Sequence, residues 1–180
     1  MGDLRAVIET TTTRLEIYNP PSNFQQQTII RFTEEQKARI NRPGDLYPIV
    51  WAILRREDEN SRSKEHFWVV GLQNDNRILY IELVSLGSTR AAHVNPTEVY
   101  QRAVINKPPR IILAHNHPDG ITEPSEMDKA ITKRLIEAGR LLKIDVLDHL
   151  ILSENGYYSF YEQGLIEHSE AWEAAGTGKD

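Results

Sequence analysis

The pattern of apolar and polar positions predicts alternating helices and strands over most of the 180-residue chain. Residues 46–54 carry apolar side chains at helical spacing after Asp45, a suitable N-cap. Residues 66–73 and 77–87 are rich in aromatic and β-branched side chains and flank an Asn/Asp turn, which is typical of a β-hairpin. Residues 95–106 begin with Asn-Pro and predict a short helix. Residues 109–114 are almost wholly apolar, which is typical of a strand covered on both faces.

The longest helical pattern follows in residues 125–144. The apolar positions on one side of this helix are Met127, Ile131, Leu135, Ala138 and Leu142. Two final strands are predicted in residues 144–153 and 156–166, around an Asn-Gly turn. The order of helix, hairpin, helix, strand, helix and strands predicts an α/β (α+β) sandwich, with a mixed sheet between helices.

The two ends of the chain fit this pattern least well. Residues 1–43 contain two short alternating segments, 15–18 and 28–32, which we interpret as edge strands or an arm. They have no Gly-containing hairpin between two helices, so we expect no helix-hairpin-helix module there. The acidic tail, 169–180, is expected to be flexible. We therefore expect one domain, over residues 44–168, between an N-terminal arm and a tail.

Composition narrows the possible chemistry. The 39% hydrophobic and 26% charged contents, without an apolar run of ~20 residues, predict a soluble protein with no membrane partner. The N-terminus lacks the features of a secretory signal, so we expect a cytoplasmic location. The absence of cysteine excludes disulfides, thiolate nucleophiles and sulfur ligands for zinc. The net charge of −5 argues against a large nucleic-acid surface, although a small basic patch stays open.

The candidate chemistry lies in the stretch AHNHPDGITEPSEMD, residues 114–128. Because side chains alternate along a strand, His115 and His117 point to the same side while Asn116 points away. A loop then leads to Asp128 in the first turn of the long helix, which could fold back toward the histidines. Two imidazoles and one carboxylate are a three-ligand set for Zn²⁺, with a fourth position left for water.

Each of these residues also has a structural interpretation. A His-x-His pair occurs by chance on strands and loops, and Ser125 with Asp128 has the spacing of a helix capping box. His149, on an apolar strand, is interpreted as a hydrogen-bonded core histidine or a partner of a ligand. However, a helix cap explains neither histidine, and a chance pair of histidines does not predict a serine and an aspartate at fixed distances beyond it.

The string His115-x-His117-x7-Ser125-x2-Asp128 resembles the metal-binding motif of the JAMM (MPN+) metalloproteases. Within that family the chain is most similar to RadC proteins, through AHNHPDG, EPSEMD, TKRLIEAGRLLKIDVLDHLIL and KEHFWVVGLQNDNRILYIELVSLGS. The resemblance covers about residues 44–166. One departure is Asp119-Gly120, where the family has Ser-Gly; it adds a carboxylate near the loop and removes no ligand.

The resemblance implies a JAMM/MPN-like fold of the cytidine deaminase-like type and one zinc ion per chain, bound by His115, His117 and Asp128. It also implies that Glu65, in the segment KEHF, is the general base that accepts a proton from water and returns it to the leaving amine. Ser125 is implied to stabilise the oxyanion. Without the resemblance, the preferred interpretation of Glu65 is a surface carboxylate before a strand. His66 is expected to face away from the metal.

The favoured function is that of a zinc hydrolase that cleaves a peptide or isopeptide bond. This function implies a peptide or protein substrate, and a ubiquitin-like protein is among the candidate partners. The extended substrate is expected along a sheet edge near the strand of His115. RadC proteins are traditionally linked to DNA repair, so a DNA-repair-associated accessory protein or metal-dependent nuclease is the alternative. A non-catalytic MPN-type interaction module is a third possibility. The sequence leaves the substrate and the oligomeric state open.

Overall fold

The computed structural model describes residues 6–10, 13–18, 29–31, 37–87, 94–167 and 172 of the chain. The strands in these residues are β1 (Ala6–Thr10), β2 (Thr13–Tyr18), β3 (Ile29–Arg31), β4 (Glu65–Leu72), β5 (Ile78–Gly87), β6 (Arg110–Asn116), β7 (Asp145–Ser153) and β8 (Gly156–Ser159). The helices are α1 (Pro43–Leu54), α2 (Glu59–Arg62), α3 (Pro96–Asn106) and α4 (Glu126–Leu142). Within the described ranges, no helix has the length and apolar character needed to cross a membrane.

The strands form one mixed sheet in the order β1-β2-β3-β5-β4-β6-β7-β8. Strands β6 and β7 pair in parallel through the α4 crossover, while the other neighbours are antiparallel. Strand β6, which ends with His115 and Asn116, therefore has a neighbour on each side. Because both sides of β6 are paired, an extended substrate would need another sheet edge near this strand, and that expectation stays a prediction.

Two apolar layers cover the sheet, one on each face. In β4, Trp68 and Val70 pack with α1 on one face, while Phe67 and Val69 pack with α3 and α4 on the other. This alternation follows from the two-residue period of a strand. Strand β6 is buried along nearly its whole length, as its apolar sequence predicted. The predicted fold class, a mixed sheet between helices, is confirmed.

Helix α4 is rotated relative to the predicted apolar stripe. Its fully buried residues are Thr132, Leu135 and Gly139. Met127 and Leu142, at the ends of the predicted stripe, are 58% and 44% exposed, so that part of the prediction is wrong. The hydroxyl group of Tyr100 donates to the carbonyl of Leu135 at 2.6 Å, and its oxygen, with the backbone carbonyl of Ile144, lies where a side chain on Gly139 would clash. This close approach of α3 turns the face containing Thr132 toward the sheet.

Two predicted boundaries also change. Helix α1 begins at Pro43 rather than after Asp45, whose carboxylate instead accepts hydrogen bonds from the N–H groups of Asn41 and Arg42. The last predicted strand, 156–166, is limited to β8. It ends because buried Asp148 accepts hydrogen bonds from the hydroxyl group of Ser159 and the N–H group of Tyr161, as the chain turns away from the sheet.

The chain ends are described only in part. The two alternating N-terminal segments correspond to β2 and β3, while β1 was not predicted. The tail predicted to be flexible, 169–180, lies outside the described residues except for Trp172. The indole of Trp172 is buried against the α1 layer and donates to the carbonyl of Leu147 at 3.3 Å.

Candidate metal centre

Three potential metal ligands meet where β6 ends and α4 begins. His115 is the penultimate residue of β6, His117 follows that strand, and Asp128 lies in the first turn of α4. One ligand atom from each side chain lies within 4.8 Å of the other two. The structure therefore brings together the three residues that the sequence motif predicted as ligands.

The spacing of the donor atoms fits a small tetrahedral cation. His115 Nε2 lies 3.0 Å from His117 Nε2 and 3.3 Å from Asp128 Oδ1, and His117 Nε2 lies 3.6 Å from Asp128 Oδ2. Ligands that bind zinc at about 2.0 Å in a tetrahedron are about 3.3 Å apart. The residues present thus fit zinc in donor type and in separation.

The loop after β6 orients His117. The His117 N–H group donates to the Leu152 carbonyl on β7, and its Nδ1–H group donates to the Ile121 carbonyl at 2.6 Å. Asp119 accepts a hydrogen bond from the Ile121 N–H group, and Gly120 has a φ of +82°, which favours glycine. This turn leaves the Nε2 lone pair of His117 directed toward the other ligands. The departure from the family pattern at Asp119 thus has a structural role.

Asp128 is both a helix-capping residue and a member of the ligand group. Ser125 is the N-cap of α4, and its N–H and hydroxyl groups donate to Asp128 Oδ2 at 2.8 and 2.6 Å. The other carboxylate oxygen lies toward His115. Burial would raise the pKa of Asp128, but the adjacent imidazoles of His115 and His117 lower this pKa well below its usual range. The carboxylate is therefore ionised at neutral pH, as a metal ligand must be.

The pKa of His117 depends on the same Asp128 carboxylate. Burial opposes its protonation, but the hydrogen bond to Asp128 raises the pKa of His117 above 6.5, with support from the Ile121 carbonyl and from the negative charge of Glu65. Without a metal, a proton between the nitrogen and oxygen atoms offsets the repulsion of their lone pairs. A bound cation would take the place of that proton.

Glu65, the proposed general base, lies beside the ligand group rather than within it. The antiparallel register pairs Phe67 on β4 with His115 on β6, so Glu65, two residues earlier, projects on the same face of the sheet. A cavity of about 450 Å³ adjoins the ligand group. It is lined by Glu65, Phe67, Val94, Asn95, Pro96, His115, Met127, Asp128, Ala130, Ile131 and Arg134. Glu65 and the candidate ligands His115 and Asp128 therefore line one cavity.

Asn116 fixes the backbone on both sides of Glu65. Its side-chain oxygen accepts a hydrogen bond from the N–H group of His66 at 2.7 Å, and its side-chain nitrogen donates to the carbonyl of Lys64 at 3.1 Å. Pairing between β4 and β6 stops at Phe67, so the buried carboxamide replaces the next backbone partner. The residue between the two histidines, which points away from the ligands as predicted, thus holds the start of β4 in place.

Two further histidines of the described residues, His66 and His149, lie outside the ligand group. His66 stacks on Trp68, with ring centroids 5.1 Å apart, on the α1 side of the sheet. The expectation that it faces away from the ligand group is met. His149 is fully buried, and its Nε2 lies 2.8 Å from His115 Nδ1. Burial lowers the pKa of His149 well below its usual value, so the ring is neutral.

Sequence reasoning did not select Thr132 and Asn116. Thr132 lies four residues after Asp128, hence on the same helix face, and its hydroxyl group hydrogen-bonds the backbone carbonyl of Asp128. This spacing was the available signal for Thr132. For Asn116 the sequence offered only its place between two candidate ligands, which predicted a side chain directed away from the site.

Comparison with known families agrees with the geometry. A family model described as RadC-like JAB domain matches residues 40–165. The chain belongs to the RadC-like JAB domain family. The resemblance found in the sequence motif is therefore confirmed. Domains of the JAB/MPN type are often metallohydrolases, and the His-His-Asp group here is a possible metal site.

Relatives of this RadC-like chain occur in archaea and bacteria. The UPF0758 protein of Methanosarcina mazei is 38% identical over 136 residues, covering 76% of this chain and 57% of its own length. That of Pelodictyon phaeoclathratiforme is 44% identical over 143 residues, covering 79% and 62%. That of Desulforudis audaxviator is 33% identical over 170 residues, covering 92% and 74%. The chain thus matches little more than half the length of the Methanosarcina relative, whose name assigns no activity.

Proposed function

We propose that the protein is a zinc-dependent hydrolase that cleaves a peptide or isopeptide bond. One observation carries the proposal: two imidazole nitrogens and an ionised carboxylate converge at zinc-compatible separations beside a cavity that Glu65 lines. In this proposal His115, His117 and Asp128 bind one zinc ion. The fourth position is left open, as in hydrolytic rather than structural zinc sites.

Zinc held by these residues would lower the pKa of a coordinated water and polarise the substrate carbonyl. Glu65, which lines the cavity beside the ligands, can accept the proton of the attacking water and pass it to the departing amine nitrogen. Its position is fixed by the hydrogen bonds of Asn116 to the two flanking residues. A general base held in this way needs little rearrangement before the proton moves.

Ser125 has a hydroxyl group that can serve the oxyanion. In the structure that hydroxyl donates to Asp128 Oδ2, which the Ser125 N–H group also reaches. If the hydroxyl turns toward the substrate oxygen, the carboxylate keeps the backbone hydrogen bond. The cap and the oxyanion role can therefore operate in one catalytic cycle.

The surroundings of the site favour an amide over a phosphodiester. Among the described residues that line the cavity, Arg134 is the sole Lys or Arg, and most of the others are apolar. Phosphodiester cleavage commonly needs two metals ~4 Å apart, or added cations, to balance the phosphate charge. The net charge of −5 also opposes a polyanionic substrate. A ubiquitin-like partner and a cytoplasmic location stay predictions.

The test is a substrate panel with the zinc-loaded full chain. Extended fluorogenic peptides, a lysine-linked isopeptide, and single- and double-stranded DNA are incubated with the protein and with its Glu65→Gln variant. We expect amide cleavage that needs zinc and falls on the order of 10²-fold or more in Glu65→Gln, which keeps its zinc. Glu126→Gln, an exposed acid beside the ligand Asp128, is the matched control and keeps full activity.

Two results would contradict the proposal. Zinc lost together with activity in Glu65→Gln would make Glu65 a ligand rather than a base. Metal-dependent DNA cleavage that disappears in Glu65→Gln, with no cleavage of any peptide or isopeptide, would move the protein to the nuclease class.

A further inference from the structure

A chain of buried hydrogen bonds runs from the backbone of α4 to the candidate ligand His115. Thr132 Oγ1 lies 2.6 Å from the carbonyl oxygen of Asp128 and 2.6 Å from His149 Nδ1. On the other side of that ring, His149 Nε2 lies 2.8 Å from His115 Nδ1. We refer to Thr132, His149 and His115 as the relay. The relay contacts His115 at Nδ1, whereas Nε2, on the opposite side of the ring, faces the other candidate ligands.

The backbone carbonyl sets the direction of every hydrogen bond in the relay. A carbonyl oxygen can only accept, so the Thr132 hydroxyl donates to Asp128, and its oxygen accepts from His149 Nδ1–H. The neutral His149 ring then has a lone pair on Nε2, which accepts from His115 Nδ1–H. This assigns the His115 proton to Nδ1 and leaves the Nε2 lone pair facing Asp128 and His117.

The packing around His149 removes other partners for its ring nitrogens. The ring stacks on Phe160, with centroids 4.9 Å apart, and meets Phe67 edge-on at 5.5 Å. With the ring fully buried, loss of the Thr132 oxygen would leave Nδ1–H without an acceptor. The ring would then favour the tautomer with its proton on Nε2. That proton faces His115 Nδ1, so it drives the His115 proton onto Nε2, where zinc would bind.

We propose that Thr132 is a positioning residue for the metal, which acts through His149 to hold His115 in its metal-binding tautomer. The inference rests on the proposed zinc site but not on any substrate. Outer hydrogen bonds of this kind commonly change metal affinity by about 10- to 100-fold. The distinctive element here is that a threonine one turn beyond the ligand Asp128 controls a ligand on a different element of the fold.

The test compares two variants of the full chain by their zinc dissociation constants, measured by competition with a chromophoric chelator. Thr132→Val keeps the shape of the side chain but removes both hydrogen bonds, and we expect zinc binding to weaken about 10- to 100-fold. Thr132→Ser keeps the hydroxyl and should bind zinc as the parent chain does. Leu135→Val is the matched control, since it alters a buried α4 residue outside the relay. It should lower the melting temperature without changing zinc affinity.

A second measurement needs no substitution. Nitrogen-15 NMR of the imidazoles reports which ring nitrogen is protonated, and we expect Nδ1–H for both His149 and His115. Nε2–H on His149 would overturn the proposal even if Thr132→Val fails to fold. Unchanged zinc affinity in a folded Thr132→Val protein would overturn it as well, with the proposed function intact. A parent chain that binds no zinc would instead remove the proposed function, and this inference with it.

Discussion

Replacement of Asp128 by Asn or by Ala separates the two roles that the structure gives this residue. Its carboxylate accepts hydrogen bonds from Ser125 at the start of α4 and also faces His115 and His117. An asparagine side chain keeps an oxygen that can accept the Ser125 N–H group, but it is neutral and a poor zinc ligand. An alanine side chain has neither property. Asp128→Asn should therefore lose metal binding alone, and Asp128→Ala should lose metal binding and the carboxylate half of the capping box.

The size of each effect follows from the contacts. Loss of a helix cap costs about 1 kcal/mol, which lowers the melting temperature of a chain of this length by about 2–4 °C. Zinc at a thousand times its dissociation constant stabilises the folded chain by about 4 kcal/mol. If loss of the Asp128 ligand weakens binding at least 100-fold, the same zinc concentration gives about 1.4 kcal/mol or less. The zinc-dependent rise in melting temperature should thus fall to roughly a third or less.

Thermal unfolding with and without zinc measures both effects on the same samples. Without zinc, Asp128→Asn should melt close to the parent chain and Asp128→Ala about 2–4 °C lower. Glu126→Gln is the control, because its exposed carboxylate pairs only with Lys129 among the described residues, and it should keep the full zinc response. A full zinc response in Asp128→Asn would refute the ligand assignment. Equal metal-free melting temperatures for the Asn and Ala variants would refute the cap.

Four further outcomes follow from the site. The double substitution His115→Ala and His117→Ala should abolish zinc binding, and retained zinc in a metal analysis would remove the site assignment. Ser125→Ala should keep zinc and lose roughly 2–4 kcal/mol of transition-state stabilisation; unchanged steady-state kinetics would leave this serine as a cap only. Asn116→Ala should cost about 2–4 kcal/mol in denaturant unfolding, because a buried N–H group and a partly buried carbonyl group lose their partner, while zinc affinity stays the same. In the metal-free protein, Asp128 raises the pKa of His117 above 6.5. Protonated His117 therefore stabilises the folded chain fully below pH 6.5, and this stabilisation is lost as the pH rises through that pKa. Zinc requires the neutral ring, so titrations below and above pH ~7 should show tighter binding at higher pH, and the reverse trend would contradict the assignment.

The sequence predicted most of the sheet because its strands are strongly patterned. Strands β4 to β7 carry β-branched and aromatic side chains buried on both faces, and such segments tolerate few alternatives. The predictions failed where a tertiary contact determines the orientation or the end of an element. The orientation of α4 depends on Tyr100 packing against Gly139, and β8 ends where Asp148 binds the turning chain. Neither contact is visible in the local periodicity of the segment that it changes.

The candidate ligands could be predicted because local geometry relates them. His115 and His117 share a face through the period of a strand, and Asp128 is brought back by the helix that follows. The contacts that orient these ligands could not be found in this way, although His149 was interpreted as a core histidine or a partner of a ligand. Thr132 and His149 lie 17 residues apart and meet only when α4 packs on β7. The hydrogen bonds of Asn116 span 50 and 52 residues, so they depend on the pairing of β4 with β6.

The same contacts that stabilise the fold would thus prepare the proposed metal site before any metal binds. The hydroxyl group of Ser125 donates to the Asp128 carboxylate in the helix cap. The backbone carbonyl of Asp128 accepts a hydrogen bond from Thr132, the first residue of the relay that reaches His115. In the proposed site, the first turn of α4 would therefore provide one ligand through the side chain of Asp128, and its backbone carbonyl would set the tautomer of a second ligand, His115. Such a site should bind zinc with little rearrangement, because the folding of α4 against the sheet already supplies the order that binding would otherwise require.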